Sequence, residues 1–384
     1  MEICKSSKCT GCGMCADVCP KQCISIKYDA HGFYKSYIDD SLCINCHRCK
    51  DVCPANYPNK PHGIQKAYKA RRTDKEAAIQ STSGGIASVL SEYVIKNGGT
   101  VAGCGFDDTF CLKHSLASEL EELNGFKGSK YLQSYTVGVY RHVREQLQAN
   151  KPVLFIGTPC QVSALQNYLG KEYDKLYLVD FVCHGVSSRY VFDKYIDSLN
   201  QTTLPISIRF RNKSQGYRNK KACFEIQVEY PDKTVRNTTD SGVYYWFATS
   251  LSVRESCYKC PFTSRKRPSD ITLADYIGKD LDDTDNEIGV NTVFVNSEKG
   301  NALIEAIKRD IVMEQKDTNH TVKLYDHLMM SSRKPSCRKS FFNELPVCDY
   351  ETLVRKYDAE KVLPSKMVRR YYAMKRRLRK LFAK

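Results

Sequence analysis

The stretch Cys9-Thr10-Gly11-Cys12-Gly13-Met14-Cys15-Ala16-Asp17-Val18-Cys19-Pro20 returns, 34 residues on, as Cys43-Ile44-Asn45-Cys46-His47-Arg48-Cys49-Lys50-Asp51-Val52-Cys53-Pro54. Two-residue gaps let a tight loop offer three thiolates to three corners of one cube. The fourth thiolate, expected at the start of a short helix, then points to a neighbouring cube. Each run therefore predicts a loop that wraps a 4Fe-4S cubane. Zinc is the simpler alternative, since Cys-x2-Cys pairs also build zinc ribbons. Four cysteines closed by a proline, twice over, fit a cubane far more specifically.

This is the spacing of bacterial two-cluster ferredoxins, in which the fourth cysteine of each run serves the other cluster. It assigns Cys9, Cys12, Cys15 and Cys53 to one cluster and Cys43, Cys46, Cys49 and Cys19 to its twin. Each half is expected as a βαβ-like unit. Cys4 and Cys23 lie outside the pattern and read as spare buried thiols.

The length of 384 residues predicts two to three domains. Ten of the 19 cysteines fall in residues 1–53, so the cysteine richness is local. The opening MEICKSSKCTGC has no apolar signal core, and no run approaches the ~20 apolar residues of a membrane span. A cytoplasmic setting with reduced thiols is expected, which favours metal ligation over disulfides. Of the net charge of +16, residues 366–384 carry nine Lys/Arg and no acid. The rest is mildly basic, so no nucleic-acid partner is expected.

Residues 1–55 are expected as a dicluster ferredoxin-like domain and the proline- and asparagine-rich 56–63 as a linker. Residues 64–345 are expected as the core and 346–384 as a C-terminal extension. Strands are predicted over 67–71, 100–106, 153–157, 176–183 and 291–296, helices over 84–97, 161–168, 189–199 and 298–309, and a β-rich patch over 206–236. Strands alternating with helices predict an α+β or mixed α/β fold with a mixed sheet.

Ser81-Thr82-Ser83-Gly84-Gly85 precedes a predicted helix, where free backbone N–H groups and the helix dipole suit an anion such as a pyrophosphate. An ordinary capped helix gives the same pattern. Cys160 in Gly157-Thr158-Pro159-Cys160-Gln161 and Cys183 in Cys183-His184-Gly185-Val186 each follow a strand. With Cys257 and Cys260 they number four, enough for a third cubane, although thiols this far apart in sequence are not constrained by spacing.

Together with Lys127-Gly128-Ser129-Lys130-Tyr131-x-Gln133-Ser134, these segments, in this order, resemble the coenzyme F-420 hydrogenase/dehydrogenase beta-subunit family. Ser269–Tyr276 and Val293–Gly300 fit as well, and the likeness covers roughly residues 1–300, including the dicluster module that many members carry. The resemblance implies an iron-sulfur flavoprotein oxidoreductase with FAD in the α/β core and a 4Fe-4S cluster beside it. It marks Ser81, Ser83, Gly84, Gly85 and Lys130, with Thr82 among them, as flavin-site residues. It marks Cys160, Cys183, Cys257 and Cys260 as ligands of the core cluster. The family usually carries Gly-Asp-x-Trp-Gly where this chain has Ala274-Asp275-Tyr276-Ile277-Gly278, which removes the glycine and tryptophan of an electron-partner site.

Electrons are then expected to move between the dicluster module, the core cluster and FAD, in either direction, with a ferredoxin-like redox partner and a small-molecule substrate. Relatives in bacterial surface-polysaccharide pathways point by analogy to glycan precursors. His184 is the candidate proton donor; support for the neighbouring ligand is its plainer role. The alternatives are an electron-relay subunit without a substrate, a scaffold that has lost the flavin, and a thiol nucleophile at Cys160. In the tail, Met367, Tyr371, Met374, Leu378 and Leu381 form one helical stripe among Lys and Arg. Such a basic amphipathic helix suits an anionic membrane surface, an acidic partner, or docking on the core.

Overall fold

The computed structural model describes residues 2–199, 203–213, 216–217, 225–239, 242–358 and 362. Each cysteine run folds into a loop and one short helix, Met14–Asp17 in the first and Arg48–Asp51 in the second. The 34-residue repeat extends to the backbone. Gly11 and Asn45 are both left-handed (φ 64° and 52°), as are Gly13 and His47 (73° and 58°). Left-handed residues among right-handed ones turn successive N–H groups into a concavity that suits anionic sulfur. Cys15 and Cys49 lie inside the short helices and Cys19 and Cys53 follow them, so the fourth thiol sits at a helix end rather than its start. Between the runs, strands β1 (Ile24–Tyr28) and β2 (Tyr34–Ile38) pair antiparallel as one hairpin. Consecutive strands joined by a tight turn replace the expected βαβ-like halves.

The segment 56–63 is tied to the core. Asn59 N donates to Ser163 Oγ, Lys60 Nζ donates to the Pro261 carbonyl, and β3 (His62–Gly63) pairs with β12 (Lys266–Arg267).

The core is an eight-stranded sheet in the order β15-β4-β14-β13-β8-β7-β5-β6. Its members are β4 (Lys66–Arg72), β5 (Thr100–Phe106), β6 (Leu112–Ala117), β7 (Val153–Ile156), β8 (Leu176–Phe181), β13 (Ile271–Asp275), β14 (Asn291–Val295) and β15 (Ile311–Lys316). The four central strands β13, β8, β7 and β5 are parallel, and the outer pairings are antiparallel. Near-continuous apolar runs such as Val153-Leu154-Phe155-Ile156 suit the central strands, which are covered on both faces. The helix Ile86–Lys96 ends before Gly98, and Pro159–Leu169 begins with a capping box between Thr158 and Gln161.

Beside the sheet, β9 (Ser207–Phe210), β10 (Glu225–Glu229) and β11 (Val235–Thr239) form a three-stranded antiparallel sheet. These strands occupy the expected β-rich patch; its residues 214–215 and 218–224 lie outside the described residues. This sheet packs on Trp246, which is fully buried against Phe341 and Tyr350 and donates Nε1–H to the Tyr357 carbonyl at 3.0 Å. The start of the expected C-terminal extension, helix Tyr350–Lys356, thereby contributes to the hydrophobic core. The stripe Met367, Tyr371, Met374, Leu378 and Leu381 lies outside the described residues.

Candidate functional site

The first thiol group is gathered across both runs. Cys15 lies close enough to Cys12, Cys9, Cys53 and Cys49 for their charges to act on it, after burial, to push its thiol up. Cys4 adds a fifth thiol: its hydrogen bond holds Cys9 down to about 5, and its bonds to Cys53 and Cys9 drive its own value far up. The second group, Cys19, Cys43, Cys46 and Cys49, lines one hollow at the surface together with Cys23, whose Sγ is 3.4 Å from that of Cys19. Cys4 and Cys23 are therefore neighbours of the proposed ligands rather than isolated thiols.

The first loop is held by core side chains. Arg254 Nε donates to the Cys9 carbonyl at 2.7 Å, Gln133 Nε2 to those of Thr10 and Gly11 at 2.8 and 3.0 Å, and Thr136 Oγ1 and Tyr140 OH to that of Cys12 at 2.6 and 2.8 Å. Thr10 lines a hollow with the third thiol group, Cys160, Cys183, Cys257 and Cys260. Cys160 enters from the helix that follows β7, 3.1 Å from Thr158 Oγ1, and Cys183 from the end of β8. Cys257 and Cys260 come from the turn Glu255–Lys259 and the residue after it.

Burial pushes Cys160 up to about 11, and burial with the nearby Cys260 pushes Cys257 up to about 12. Burial and the three other thiols push Cys183 well up. Four half-buried thiols crowded this way resist ionising together unless a cationic centre binds them, so the donor set fits an iron-sulfur cluster. Among the described residues no group of three or more His, Cys, Asp or Glu converges as on a single ion. The thiols instead surround hollows, as a cluster with four separate corners requires.

A cavity of about 650 Å³ opens beside the third thiol group. Cys104, Ile156, Val182 and Asp275 line it from the carboxyl ends of β5, β7, β8 and β13, the usual ligand position in a parallel sheet. Ser81, Thr82, Ser83 and Gly85 line it at the start of helix Ile86–Lys96. Their packing sets this loop. Thr82 Oγ1 accepts from Ser129 N at 2.6 Å, Ser83 Oγ donates to the Val290 carbonyl at 2.6 Å, and Ser81 Oγ donates to that of Ala77 at 3.4 Å. A Cβ on Gly84 would stand 2.7 Å from the Ala70 carbonyl oxygen and 2.8 Å from Asn291 N, so no side chain fits there.

Lys130 also lines the cavity, but its ammonium donates to the carbonyls of Cys104, Gly125 and Lys127 at 3.1, 3.0 and 2.9 Å. All three donors are thereby used on the backbone, and its part is to hold the wall. Lys213 is used in the same way, donating to the carbonyls of Ala78, Ser83 and Ile288. Burial and the guanidiniums of Arg211 and Arg209 push it down to about 7, and the three acceptors favour its charged form.

His184 stands in the wall between thiol hollow and cavity. Its Nε2–H donates to the Phe247 carbonyl at 2.9 Å, because a carbonyl can only accept, and Nδ1 therefore accepts from His327 Nε2–H at 2.7 Å. Burial and the His327 ring push His184 down to about 3. A neutral ring with both nitrogens engaged braces the wall. His327 lines both spaces and carried no sequence signal. Arg211, bonded to Asp275 at 2.5 Å, and the edge-on pair Tyr131–Tyr244, 4.9 Å between centroids, complete the cavity lining.

Residues 150–321 match the family that comprises the C-terminal part of the coenzyme F420 hydrogenase/dehydrogenase beta subunit. Residues 8–57 match the 4Fe-4S dicluster domain. No curated protein matches the chain. A chain in a structure of the F420-reducing [NiFe] hydrogenase complex from Methanosarcina barkeri, studied by xenon derivatization, is 19% identical over 79% of this chain and 97% of its own, with a TM-score of 0.47.

Proposed function

We propose that this chain, whose residues 150–321 match the F420 hydrogenase/dehydrogenase beta-subunit family and whose residues 8–57 match a 4Fe-4S dicluster domain, is an iron-sulfur flavoprotein oxidoreductase of that family. The observation that carries the reading is the shared wall: Cys183, His184, Gly185, Val186 and His327 line both the thiol hollow and the large cavity. A cluster bound by Cys160, Cys183, Cys257 and Cys260 and a flavin bound in the cavity would then be immediate neighbours. When bound, the clusters supply one-electron carriage and FAD supplies exchange between single electrons and a hydride.

The residues do the positioning. The Thr82 hydroxyl, whose proton is not used by its contact with Ser129 N, and backbone N–H groups at the start of helix Ile86–Lys96 would hold the pyrophosphate end, the Ser81 and Ser83 hydroxyls being already donated to carbonyls. Tyr131, with Phe247 4.7 Å away between centroids, offers an aromatic wall to a ring system. Arg211, Asp275 and the hydroxyls of Tyr131 and Tyr244 suit a polyhydroxylated substrate such as a glycan precursor. Lys130 and Lys213 keep the loops closed against water.

Iron and flavin per chain, measured on anaerobically purified protein, test this first: about twelve irons and about one FAD are expected. About eight irons with no flavin, even after FAD is added, would mean that the core holds neither group. Gly84→Ala is expected to weaken FAD binding by about tenfold or more, because displaced backbone costs on the order of 1–3 kcal/mol. Iron content should stay unchanged in that variant. Equal FAD affinity in variant and parent would place the flavin elsewhere.

A further inference from the structure

We propose that the exposed loop 42–48 is the docking surface for a small, acidic electron-carrier protein. The inference rests on the reading of the N-terminal module as a cluster carrier. Its basis is a difference between the two copies of the internal repeat. Thr10, Cys12 and Met14 correspond to Ile44, Cys46 and Arg48. In the first copy this face is covered by the core: Cys12 is 8% and Met14 1% exposed, and five hydrogen bonds from Arg254, Gln133, Thr136 and Tyr140 hold the loop carbonyls. In the second copy residues 44–48 are all exposed, Ile44 by 58%, and Leu42 just before them by 55%. The same backbone shape that docks on the core in one copy thus faces outward in the other, with two large apolar side chains on it.

Charge selects the occupant. The hollow of the second thiol group is lined by Lys21 and Arg48 and by no carboxylate among the described residues. Three exposed carboxylates flank the loop in sequence, Asp39, Asp40 and Asp51; Asp39 accepts from Ser41 N and Oγ at 3.0 and 2.5 Å, and none of the three lines the hollow. A second copy of this chain, at +16, and its own tail, with nine basic residues in 366–384, are both repelled by such a rim. An acidic protein is attracted, and a small apolar contact ringed by opposite charges suits a transient redox encounter. The position also fits. The first thiol group lies against the core hollow, and the second presents Cys46 to solvent.

The test is isothermal titration of the full-length, cluster-loaded chain with a purified acidic two-cluster ferredoxin, at low and high salt. Leu42→Asp and Lys21→Glu, both outside the ligand run, are expected together to raise Kd about tenfold and to flatten its salt dependence. Ile277→Asp, in the exposed segment that departs from the family pattern, is expected to leave Kd unchanged. The proposal is overturned if loaded parent protein does not bind, if Leu42→Asp/Lys21→Glu binds as tightly as the parent, or if Ile277→Asp alone abolishes binding. Dimers of the parent that these same substitutions dissociate would make a second copy the occupant and overturn it too. Iron measured on the same samples separates the two levels: parent protein without the N-terminal irons sinks the cluster reading, whereas loaded parent with unaffected variants sinks only the docking site.

Discussion

Cys160→Ser is expected to remove about four of about twelve irons and to leave the N-terminal pair in place. Serine preserves the size and the contact with Thr158 Oγ1, so the helix Pro159–Leu169 and its capping box should persist. What is lost is a thiolate, for which an alcohol is no substitute at neutral pH. Cys160 is half-buried, in a site shared with three other half-buried thiols, and no other cysteine among the described residues lines that hollow. The electron-spin resonance of the reduced N-terminal clusters should therefore survive while the remaining signal disappears. Unchanged iron would show that the core binds no cluster. Loss of all iron would show that the N-terminal groups, which reach Cys160 through Cys12, assemble only with the core site occupied.

The local parts of this architecture are legible in the sequence. The strand expected over 100–106 is β5, Thr100–Phe106, and the helix expected over 189–199 is Arg189–Ser198. Both follow from short-range periodicity and from glycine or hydroxyl residues at their ends. The repeat of the cysteine runs is legible as spacing, and the fold carries it on into the left-handed backbone at Gly11/Asn45 and Gly13/His47. The hairpin between the runs is not legible, because the spacing of ligands is silent about which strands pair. The placement of β4 between β14 and β15 is likewise non-local, joining residues 66–72 to partners more than 200 positions away. His327, Arg211 and Lys213 escape for the same reason. None stands in a motif that marks a site, and only the fold brings His327 and Arg211 to the cavity wall and Lys213 to the carbonyl of Ser83, which lines it. Lys130 shows the converse: the motif around it is readable, but its three carbonyl acceptors are visible only in the fold.

Arg267→Met is expected to destabilise the protein by about 3–5 kcal/mol, as removing one partner of a buried ion pair does. Arg267 Nη2 donates to Asp180 Oδ2 at 2.8 Å, and the two side chains are only 2% and 0% exposed. The guanidinium also donates to the Phe262 carbonyl and to Thr272 Oγ1, which itself donates to Asp180 Oδ1 at 2.5 Å. Burial already pushes the Asp180 carboxyl up, and the Arg267 charge is the largest influence opposing it. Without that charge the folded-state value rises further above the unfolded one. A raised carboxyl favours the fold where it is protonated, and the benefit is lost as pH rises through its folded value. The deficit of Arg267→Met should therefore be smallest in acid and grow toward neutral pH, as thermal unfolding at several pH values would reveal. Asp180→Leu/Arg267→Met removes both charges, and should recover much of the loss. A double variant no more stable than Arg267→Met would mean that the arginine acts through Phe262 and the neighbouring Cys260 loop rather than through Asp180. Because Arg267 lines the hollow of the third thiol group, the single variant should also hold its core iron less well, with the N-terminal iron unaffected.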